Sequence, residues 1–173
     1  DRVAEMLQTP GSEQQTGPGH KPNVQGALAF EDVSFRYPEG PWVLQKVSFS
    51  VQAGEVCAIV GPSGSGKSTL ANLVPRFIEP VSGRVRLDGH DLRELDRTHL
   101  RKEIGFAFQE CFLFNSTIRE NLRYAWPEAS PEHIIEIARR TGADDFIRTL
   151  PDGYETLVGP NGVSLSRGQK QLI

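Results

Sequence analysis

Residues 61–68 read Gly-Pro-Ser-Gly-Ser-Gly-Lys-Ser. Their spacing, G-x-x-x-x-G-K-[ST], is typical of a loop that binds phosphate. Glycines let backbone N–H groups approach phosphate oxygens closely, and a helix that begins at this point directs its positive end at the same anion. The Lys67 ammonium suits the β- and γ-phosphates, and the Ser68 hydroxyl suits Mg²⁺, a cation that prefers oxygen ligands. The motif therefore predicts that the chain binds a nucleoside triphosphate.

The sequence on either side of this loop supplies the strand and the helix that the mechanism requires. The unbroken apolar run Val56–Val60 predicts a strand that is covered on both faces of a parallel sheet. After the loop, the pattern predicts a helix from about Lys67 to Val74, which Pro75 ends. The alternative is a glycine-rich turn that binds no ligand. Such a turn would not need a strand before it and a helix after it. The motif alone does not distinguish kinases, GTPases, helicases and other P-loop NTPases.

Apolar patterning predicts the elements around this loop. Four further segments are predicted strands: 28–35, 47–51, 84–87 and 104–108. The alternation of the first is interrupted at Glu31-Asp32, and the third is closed by the turn sequence Asp88-Gly89. Beyond residue 108 the period changes to that of helices, which are predicted at 117–124, 131–140 and 143–150. The outline is a mixed sheet with one helix after the glycine-rich loop, followed by a helical subdomain.

The composition narrows the classes of protein to which the chain can belong. Hydrophobic residues make up 38% and charged residues 24%, which is typical of a soluble globular domain. The net charge of −3 argues against a nucleic-acid binder, and no run approaches the roughly 18 to 20 apolar residues that a membrane-spanning helix needs. Cys57 and Cys111 lack CxxC spacing, so we expect two buried free thiols rather than a zinc site or a disulfide.

The two ends predict a fragment of a longer protein. The chain opens at Asp1 rather than at Met, and it stops at Ile173 inside a predicted helix. Apolar residues at helical spacing within 1–8 suit the end of an amphipathic helix. The stretch 9–26, rich in Gly, Pro and Gln, is typical of a flexible linker. Folded structure is expected over 27–173.

A second element of the phosphate-binding kind stands far along the chain, at Leu165-Ser166-Arg167-Gly168-Gln169. Ser166 is positioned to cap a helix that runs on through Leu172, and a serine hydroxyl with the N–H groups of a helix start forms an anion site. Taken alone, the pentapeptide could be an ordinary serine cap. Together with the P-loop, at this order and spacing, the sequence over nearly all of 27–173 resembles the ATP-binding cassette (ABC) family, whose signature is Leu-Ser-Gly-Gly-Gln.

This resemblance implies a fold, a ligand and partners. The implied fold is an α/β cassette of the P-loop NTPase type, with a mixed sheet core that carries the P-loop helix, an antiparallel β subdomain and a helical subdomain. The core would occupy 27–109 and the helical subdomain about 110–173, incomplete at the C-terminus. ATP and Mg²⁺ are the implied ligands. Two cassettes would sandwich two nucleotides head to tail, so the implied partners are a second cassette and membrane-spanning domains, with no nucleic acid.

The resemblance also assigns roles to single residues. Lys67 and Gln109 are the catalytic candidates, and Ser68 with Gln109 would hold Mg²⁺. Tyr37 matches the aromatic residue that stacks on adenine, although a core aromatic is the alternative for it. The candidates for nucleotide contact are Tyr37, Gly61, Ser63, Gly64, Ser65, Gly66, Lys67, Ser68, Thr69, Ser166, Gly168 and Gln169.

Three segments resemble the exporter branch of the family, the branch of multidrug, lipid and peptide transport: 2–7, 114–122 and 150–156. They imply a membrane-associated cassette on the cytosolic (or matrix or stromal) side, which couples ATP binding and hydrolysis to export. Two positions depart from the family pattern. Arg167 replaces a glycine and points either away from the γ-phosphate or toward it, where it adds a cation. Pro160-Asn161 replaces an acidic residue in a segment that normally contacts the membrane domains.

The family's Walker B strand and switch histidine would follow Ile173. Phosphoryl transfer depends on positioning and on charge stabilisation. We therefore expect these 173 residues alone to hydrolyse ATP poorly or not at all, to bind nucleotide weakly and to aggregate through an exposed sheet edge. Two alternatives to the exporter stay open. One is a soluble ABC ATPase of DNA repair or translation, and the other is a truncated, non-catalytic nucleotide-binding fragment.

Overall fold

The computed structural model describes residues 19–108 and 111–173. They form two compact units, divided in the chain between Gly105 and Phe106. The predicted helix end at 1–8 and the first part of the predicted linker, 9–18, lie outside the described residues. Within the described ranges, no helix combines the length and the apolar character that a membrane span requires.

The first unit is built on an antiparallel sheet of four strands in the order β2-β1-β3-β4. The strands are β1 (Leu28–Arg36), β2 (Trp42–Val51), β3 (Ser82–Leu87) and β4 (His90–Asp91). Phe30, in the central strand β1, lies opposite Phe49 of β2 and Val85 of β3. The rings of Phe30 and Phe49 stack with centroids 4.6 Å apart. These apolar cross-strand contacts, on the face that packs into the core, fix the register of the sheet.

The interruption predicted at Glu31-Asp32 is a bulge in β1. The register with β2 shifts between Phe30 and Val33, and Asp32 has a φ of 48°. Gly83 of the neighbouring strand β3 lies against this bulge, and a Cβ at Gly83 would lie 2.3 Å from the Asp32 carbonyl oxygen. Only glycine fits so close an approach, so the bulge and Gly83 depend on each other.

Helices cover one side of this sheet and bury its apolar residues. They are α1 (Lys67–Leu73), a 3₁₀ turn (Leu92–Glu94) and α2 (Arg97–Lys102). Leu70 and Leu73 of α1 are buried in the same core as Phe30, Val85 and Leu100. The helix that follows the glycine-rich loop is therefore anchored by its apolar face, which fixes the position of its first turn.

The described part of the predicted linker, 19–26, is held against the first unit. His20 forms two backbone hydrogen bonds, to Glu94 and from Asp96, each 2.9 Å long. The Asp88 carboxylate accepts hydrogen bonds from the backbone N–H of Gln25 at 2.7 Å and of Ala27 at 2.8 Å. Composition indicated a linker, but these contacts join residues more than 60 positions apart, which composition does not reveal.

The second unit is mainly helical. Its elements are β5 (Ser116–Thr117), α3 (Ile118–Arg123), α4 (Pro131–Thr141), α5 (Ala143–Ile147), a 3₁₀ turn (Gly153–Glu155), β6 (Leu157–Val158) and α6 (Arg167–Leu172). β5 and β6 pair antiparallel. Ser130 caps α4, with Pro131 as its first residue, and Gly142 joins α4 to α5 with a φ of 78°. The core contains Ile118, Ala138, Ala143, Ile147, Val158 and Leu165.

The predicted helices after residue 108 are confirmed, as are the strands that became β1, β2 and β3. Two predicted strands are wrong. Residues 56–60 and 104–108 form no strand, and Val56 and Val60 are 99% and 87% exposed. A parallel strand inside a sheet needs hydrogen-bonded neighbours, and in the described ranges no strand pairs with either segment. The sheets of the described residues are accordingly antiparallel rather than mixed.

The expectation of two buried thiols is also wrong. Cys57 lies in segment 56–60, which forms no helix or strand, and is exposed, while Cys111 is partly buried. Each is a free thiol, as predicted.

Candidate functional site

The glycine-rich loop, residues 61–66, leads directly into α1. The Ser65 N–H donates a hydrogen bond to the Pro62 carbonyl at 3.3 Å, which closes a tight turn. Gly64 and Gly66 have φ values of 80° and 88°, in the left-handed region that favours glycine. Gly66 is also the N-cap of α1 and accepts the first helical hydrogen bond, from Leu70 N–H at 2.8 Å. The loop therefore ends where a helix begins, and the N-terminus of a helix is a common position for phosphate binding.

The packing around residue 66 requires glycine, as does its positive φ value. A Cβ at this position would lie 3.0 Å from Leu44 Cδ2 and 3.1 Å from Val43 Cγ1, both in β2. The loop therefore packs directly on the sheet. This close packing fixes the last turn of the loop relative to β2.

The Lys67 ammonium lies over the loop. Its Nζ donates hydrogen bonds to the carbonyl oxygens of Pro62 at 2.7 Å and of Gly61 at 2.9 Å. Both acceptors are neutral, whereas an ammonium forms stronger hydrogen bonds with anionic oxygens. The loop thus holds a positive charge next to its own exposed backbone.

The hydroxyls of this region differ in exposure. Ser63, Ser65 and Ser68 are exposed, whereas Thr69 is 6% exposed. In the described residues, no group of three or more acidic, histidine or cysteine side chains is arranged to hold a metal ion. A lone hydroxyl such as that of Ser68 suits Mg²⁺, which is usually bound by one or two protein oxygens together with phosphate oxygens and water.

A cavity of about 550 Å³ lies beside the loop. It is bounded by residues 57–62, by Lys67 and Leu70, and by Leu44, Val47 and Phe49 of the first unit. Ser65 and Gly66 of the loop also line it. Most of the side chains are apolar, and the polar groups are those of the loop and Lys67. A charged phosphate group would therefore find polar partners only on the wall that the loop forms, because an anion is costly to bury against apolar side chains.

Tyr37 directly follows β1 and is 46% exposed. The edge of the ring meets Phe35, with centroids 4.9 Å apart and planes at 89°. Its hydroxyl lies 3.3 Å from Thr69 Oγ1, in α1. The alternative of a core aromatic does not fit this exposure.

The signature pentapeptide forms the start of α6 in the second unit. Ser166 is the N-cap of this helix, and Ser166 and Gln169 form a reciprocal capping box. The side chains of Ser166 and Arg167 are exposed, and a Cβ at Gly168 would meet nothing within 4 Å. The predicted serine cap is therefore present, and the backbone at Gly168 is open to a ligand.

A network of polar and charged side chains links two elements of the second unit. The buried Asp144 carboxylate of α5 accepts a hydrogen bond from the Tyr154 hydroxyl at 2.7 Å and pairs with Arg148 at 2.8 Å. The Tyr154 hydrogen bond and then Arg148 hold the pKa of Asp144 below its ordinary value, against the opposing effect of burial. Burial, followed by the hydrogen bond to Asp144, raises the pKa of Tyr154 to about 12. The network joins α5 to the 3₁₀ turn that precedes β6.

The segment that departs from the family pattern is also ordered. Gly159 lies so close to Asn115 that a Cβ would be 2.8 Å from its Cα, and the Asn161 N–H donates to Asn115 Oδ1 at 3.3 Å. Pro160 and Asn161 are both exposed. Gln109, the other predicted catalytic residue, lies outside the described residues.

The predicted site residues therefore fall into two groups. The first unit holds Tyr37, Gly61, Ser63, Gly64, Ser65, Gly66, Lys67, Ser68 and Thr69, and the second holds Ser166, Gly168 and Gln169. The sequence did not reveal the contact between Tyr37 and Thr69. The sequence showed only that both residues carry a hydroxyl group and that both were candidates for nucleotide contact.

Comparison with known proteins identifies the family. The family model described as ABC transporter matches residues 44–173. The alpha-hemolysin translocation ATP-binding protein HlyB of Escherichia coli O157:H7 is 45% identical over 174 residues, which cover 100% of this chain and 24% of that protein. The uncharacterized ABC transporter ATP-binding protein YfiC of Bacillus subtilis (strain 168) is 46% identical over 154 residues, which cover 89% of this chain and 26% of that protein.

The fold has a solved counterpart. A bacterial Atm1-family ABC exporter with ATP bound matches with a TM-score of 0.86 and 38% identity, over 98% of this chain and 31% of that chain. The predicted cassette fold is confirmed by this match. The chain spans 24% to 27% of the length of the curated relatives that it matches. Membership of this family implies that the chain binds nucleotide, in agreement with the geometry of the glycine-rich loop. By family model, by sequence and by fold, this chain belongs to the ABC transporter family.

Proposed function

We propose that this chain is the ATP-binding part of an ABC exporter, in which ATP binding and hydrolysis drive the export of a substrate across a membrane. The observation that carries the proposal is the position of Lys67, whose ammonium lies over the carbonyls of Gly61 and Pro62 at the start of α1. The names of relatives support the transport role. HlyB is a hemolysin translocation protein, and a Mycobacterium bovis relative, 43% identical over 173 residues, is a fatty acid ABC transporter.

In this proposal the loop binds the phosphates of ATP. Lys67 exchanges two neutral carbonyl acceptors for the anionic β- and γ-phosphate oxygens, with which it forms stronger hydrogen bonds. The backbone of Gly64 and Gly66, free of side chains, approaches the same oxygens. The exposed ring of Tyr37 stacks on adenine, an interaction that contributes about 1–3 kcal/mol and discriminates weakly between bases.

Ser68 is the proposed protein ligand of Mg²⁺ in the described region, and Gln109 is proposed as a second. Magnesium bound there would neutralise charge on the phosphate oxygens during phosphoryl transfer. The Ser68 hydroxyl is exposed on the first turn of α1, one residue after Lys67. The lysine and the hydroxyl thus act on the same end of the nucleotide.

The signature would act on the nucleotide of a second cassette. Gln169 N–H already donates to the Ser166 hydroxyl oxygen, which leaves the hydroxyl proton of Ser166 to donate elsewhere. A γ-phosphate oxygen is the proposed acceptor, with the open backbone at Gly168 beside it. Arg167 adds a positive charge to the same helix start. Two chains would then bind two ATP molecules head to tail.

The proposed place of the chain in the full protein follows the exporter pattern. Residues 1–8 would lead from a membrane domain, 9–26 would connect it to the cassette, and 27–173 would lie on the cytosolic (or matrix or stromal) side. The exposed Pro160-Asn161 segment would face the membrane domains. The 173-residue chain alone is proposed to hydrolyse ATP poorly or not at all.

The test is the Mg²⁺-dependent ATPase activity of the full-length protein, reconstituted in lipid vesicles. Lys67→Ala should reduce turnover at least a hundredfold, because the loop loses its only mobile charge next to the phosphates. Lys102→Ala, which removes an exposed lysine from the end of α2, is the matched control and should leave turnover unchanged. Full turnover in Lys67→Ala would refute the proposal. A full-length protein that needs no membrane would instead favour a soluble ABC ATPase.

A further inference from the structure

Residues 19–27 form a strap along the first unit. Most of this stretch has the composition of a flexible linker, yet hydrogen bonds hold it at three successive places. These places are the 3₁₀ turn before α2, α2 itself, and the turn between β3 and β4. The first unit therefore extends back from β1 to residue 19.

The first attachment is a backbone bridge at His20. The His20 N–H donates to the Glu94 carbonyl at 2.9 Å. The His20 carbonyl accepts a hydrogen bond from the Asp96 N–H, also at 2.9 Å, so that His20 pairs parallel with Leu95. Asp96 is the N-cap of α2, since its carboxylate accepts a hydrogen bond from the His99 N–H at 2.7 Å. The strap is thus bonded to the residue at which α2 begins.

The second attachment is the ring of His99, in α2. Its Nε2 lies 2.9 Å from the Pro22 carbonyl oxygen, in a partly buried contact. Because a carbonyl oxygen can only accept a hydrogen bond, Nε2 carries the proton and donates it. Two residues after Pro22, Val24 packs against the hydrophobic core of the first unit. The middle of the strap is thus held by a hydrogen bond and by an apolar contact.

The third attachment is Asp88, at the turn between β3 and β4. Its carboxylate accepts hydrogen bonds from the backbone N–H groups of Gln25 at 2.7 Å, Gly26 at 3.2 Å and Ala27 at 2.8 Å. The Asp88 N–H donates to the Ala27 carbonyl at 2.8 Å. Hydrogen bonds to a charged acceptor are stronger than those between neutral groups, so this is the firmest of the three attachments.

The attachments are connected to the glycine-rich loop through the core. Leu95 pairs with His20, and Leu100 directly follows His99. Both leucines are buried in the same core as the apolar face of α1, the helix that begins at Lys67. Close-packed interiors transmit strain between the elements that share them. The strap and the loop are therefore linked by packed side chains as well as by the chain itself.

We propose that the strap is the coupling element through which movement of the chain before residue 19 reaches α2 and then the glycine-rich loop, with Asp88 and His99 as its anchoring residues. The inference rests on the proposed function, because the movement would come from a membrane domain. A free linker as long as 9–26 absorbs such movement, since its ends are separated by a fluctuating distance of about 23 Å. A strap anchored at three places moves with the unit instead. Coupling is reciprocal, so ATP at the loop acts on the chain before residue 19 by the same route.

The experiment uses the full-length protein in lipid vesicles and the double variant Asp88→Gly/His99→Ala. Glycine suits the φ of 51° at position 88 and alanine suits α2, so the two changes remove the anchors and keep the backbone. Three quantities are measured with and without Mg²⁺, ATP and vanadate: amide hydrogen exchange at 25–27, the amount of trapped nucleotide, and the rate of tryptic cleavage in the membrane domain. Asp152→Ala/His133→Ala, which changes the same residue types in the second unit, is the matched control.

Release of the strap should separate nucleotide trapping from the response of the membrane domain. In the wild type and the control, trapping should change the rate of tryptic cleavage at least about fivefold. In the double variant, the amides of 25–27 should exchange at least about tenfold faster, the effect of losing hydrogen bonds to a charged group. The double variant should trap as much nucleotide as the wild type, but its cleavage rate should not respond. His99→Gln, which keeps a side-chain N–H donor, should retain the response.

The contrary results are distinct. A membrane domain that still responds in the double variant, or amides of 25–27 that exchange there as slowly as in the wild type, would overturn the inference. Loss of trapped nucleotide together with the response would also overturn it, because the anchors would then serve only the fold. If the double variant does not fold, His99→Ala alone decides, and its response should be weaker than that of His99→Gln. A wild type that traps no nucleotide would instead count against the proposed function.

Discussion

Ser166 and Gln169 cap each other at the start of α6. The Gln169 N–H donates to Ser166 Oγ at 3.2 Å, and the Ser166 N–H donates to Gln169 Oε1 at 2.9 Å. Two helix-start donors are satisfied in this way, while the hydroxyl proton of Ser166 stays available. The Ser166 hydroxyl therefore stabilises the helix by accepting a hydrogen bond, and we propose that it also donates one to the nucleotide.

Ser166→Ala separates these two roles. Loss of the cap should lower the free energy of unfolding by about 1 kcal/mol. Ser130→Ala, which removes the cap of α4, is the matched control and should cost a similar amount. Only Ser166→Ala should also reduce the ATPase activity of the full-length protein, because only Ser166 belongs to the proposed second phosphate site. Equal activity in the two variants would contradict the role of the signature. Thermal unfolding and turnover measure the two effects.

Asp88→Asn should weaken the attachment of residues 25–27. Burial alone would raise the pKa of Asp88, but hydrogen bonds from the backbone N–H of Gln25, Ala27 and Gly26 outweigh it and hold the pKa below its ordinary 3.8. The ionised form is therefore favoured by folding. Its contribution is present above about pH 4 and is lost as pH falls through the lower folded pKa.

At pH 7 the free energy of unfolding of Asp88→Asn should be about 1 kcal/mol lower than that of the wild type, because one acceptor oxygen is lost. Below pH 4 the difference from the wild type should shrink. Asp152→Asn removes a carboxylate that makes no cap hydrogen bond, and it serves as the control. Denaturant unfolding at pH 7 and pH 3 tests this, and a difference that grows toward pH 3 would contradict the account.

Val56→Lys should reduce self-association of the 173-residue chain. Val56 is 99% exposed within the apolar segment 56–60, which pairs with no described strand, and an exposed apolar segment with unpaired backbone favours association with another chain. Val81→Lys changes another exposed valine, 55% exposed and outside this segment, and should have no effect. Sedimentation velocity over a range of concentrations gives the answer. A monomeric wild-type chain at every concentration would refute the prediction.

Tyr154→Phe should change the alkaline stability of the second unit. Because burial and Asp144 raise the pKa of Tyr154 to about 12, folding favours the protonated phenol. Its contribution is complete below the ordinary pKa of 10 and is lost as pH rises toward 12. The wild type should thus lose stability between pH 10 and 12, while Tyr154→Phe is less stable at pH 8 and loses less in that interval. Parallel losses in both proteins would rule out Tyr154 as the cause.

Most local elements could be predicted because their signals are local. The turn at Asp88-Gly89 follows from residue types alone, and both residues adopt positive φ values, 51° and 82°. Ser166 could be predicted as a cap from its place before a helix pattern. The spacing of the glycines and Lys67 predicted the P-loop, which the structure forms with positive φ values at Gly64 and Gly66.

The features that the sequence did not predict depend on contacts between residues that are far apart in the chain. The run 56–60 has the composition of a central parallel strand, but composition does not supply the neighbouring strands that such a strand needs. The attachment of 19–26 depends on Asp88, more than 60 residues away from its partners. The hydrogen bond of Tyr37 to Thr69 spans 32 positions. No periodicity within a single element encodes any of these three.

The most direct test of the central claim is the equilibrium affinity of the full-length protein for ATP with and without the P-loop lysine. Lys67→Ala removes the ammonium that lies 2.7 Å and 2.9 Å from the Pro62 and Gly61 carbonyls, and Lys102→Ala is the control. A charge-assisted phosphate contact contributes about 1.5–3 kcal/mol, so Lys67→Ala should bind ATP at least about tenfold more weakly than the wild type and the control. Equal affinity in all three proteins would contradict the claim that this loop binds the triphosphate.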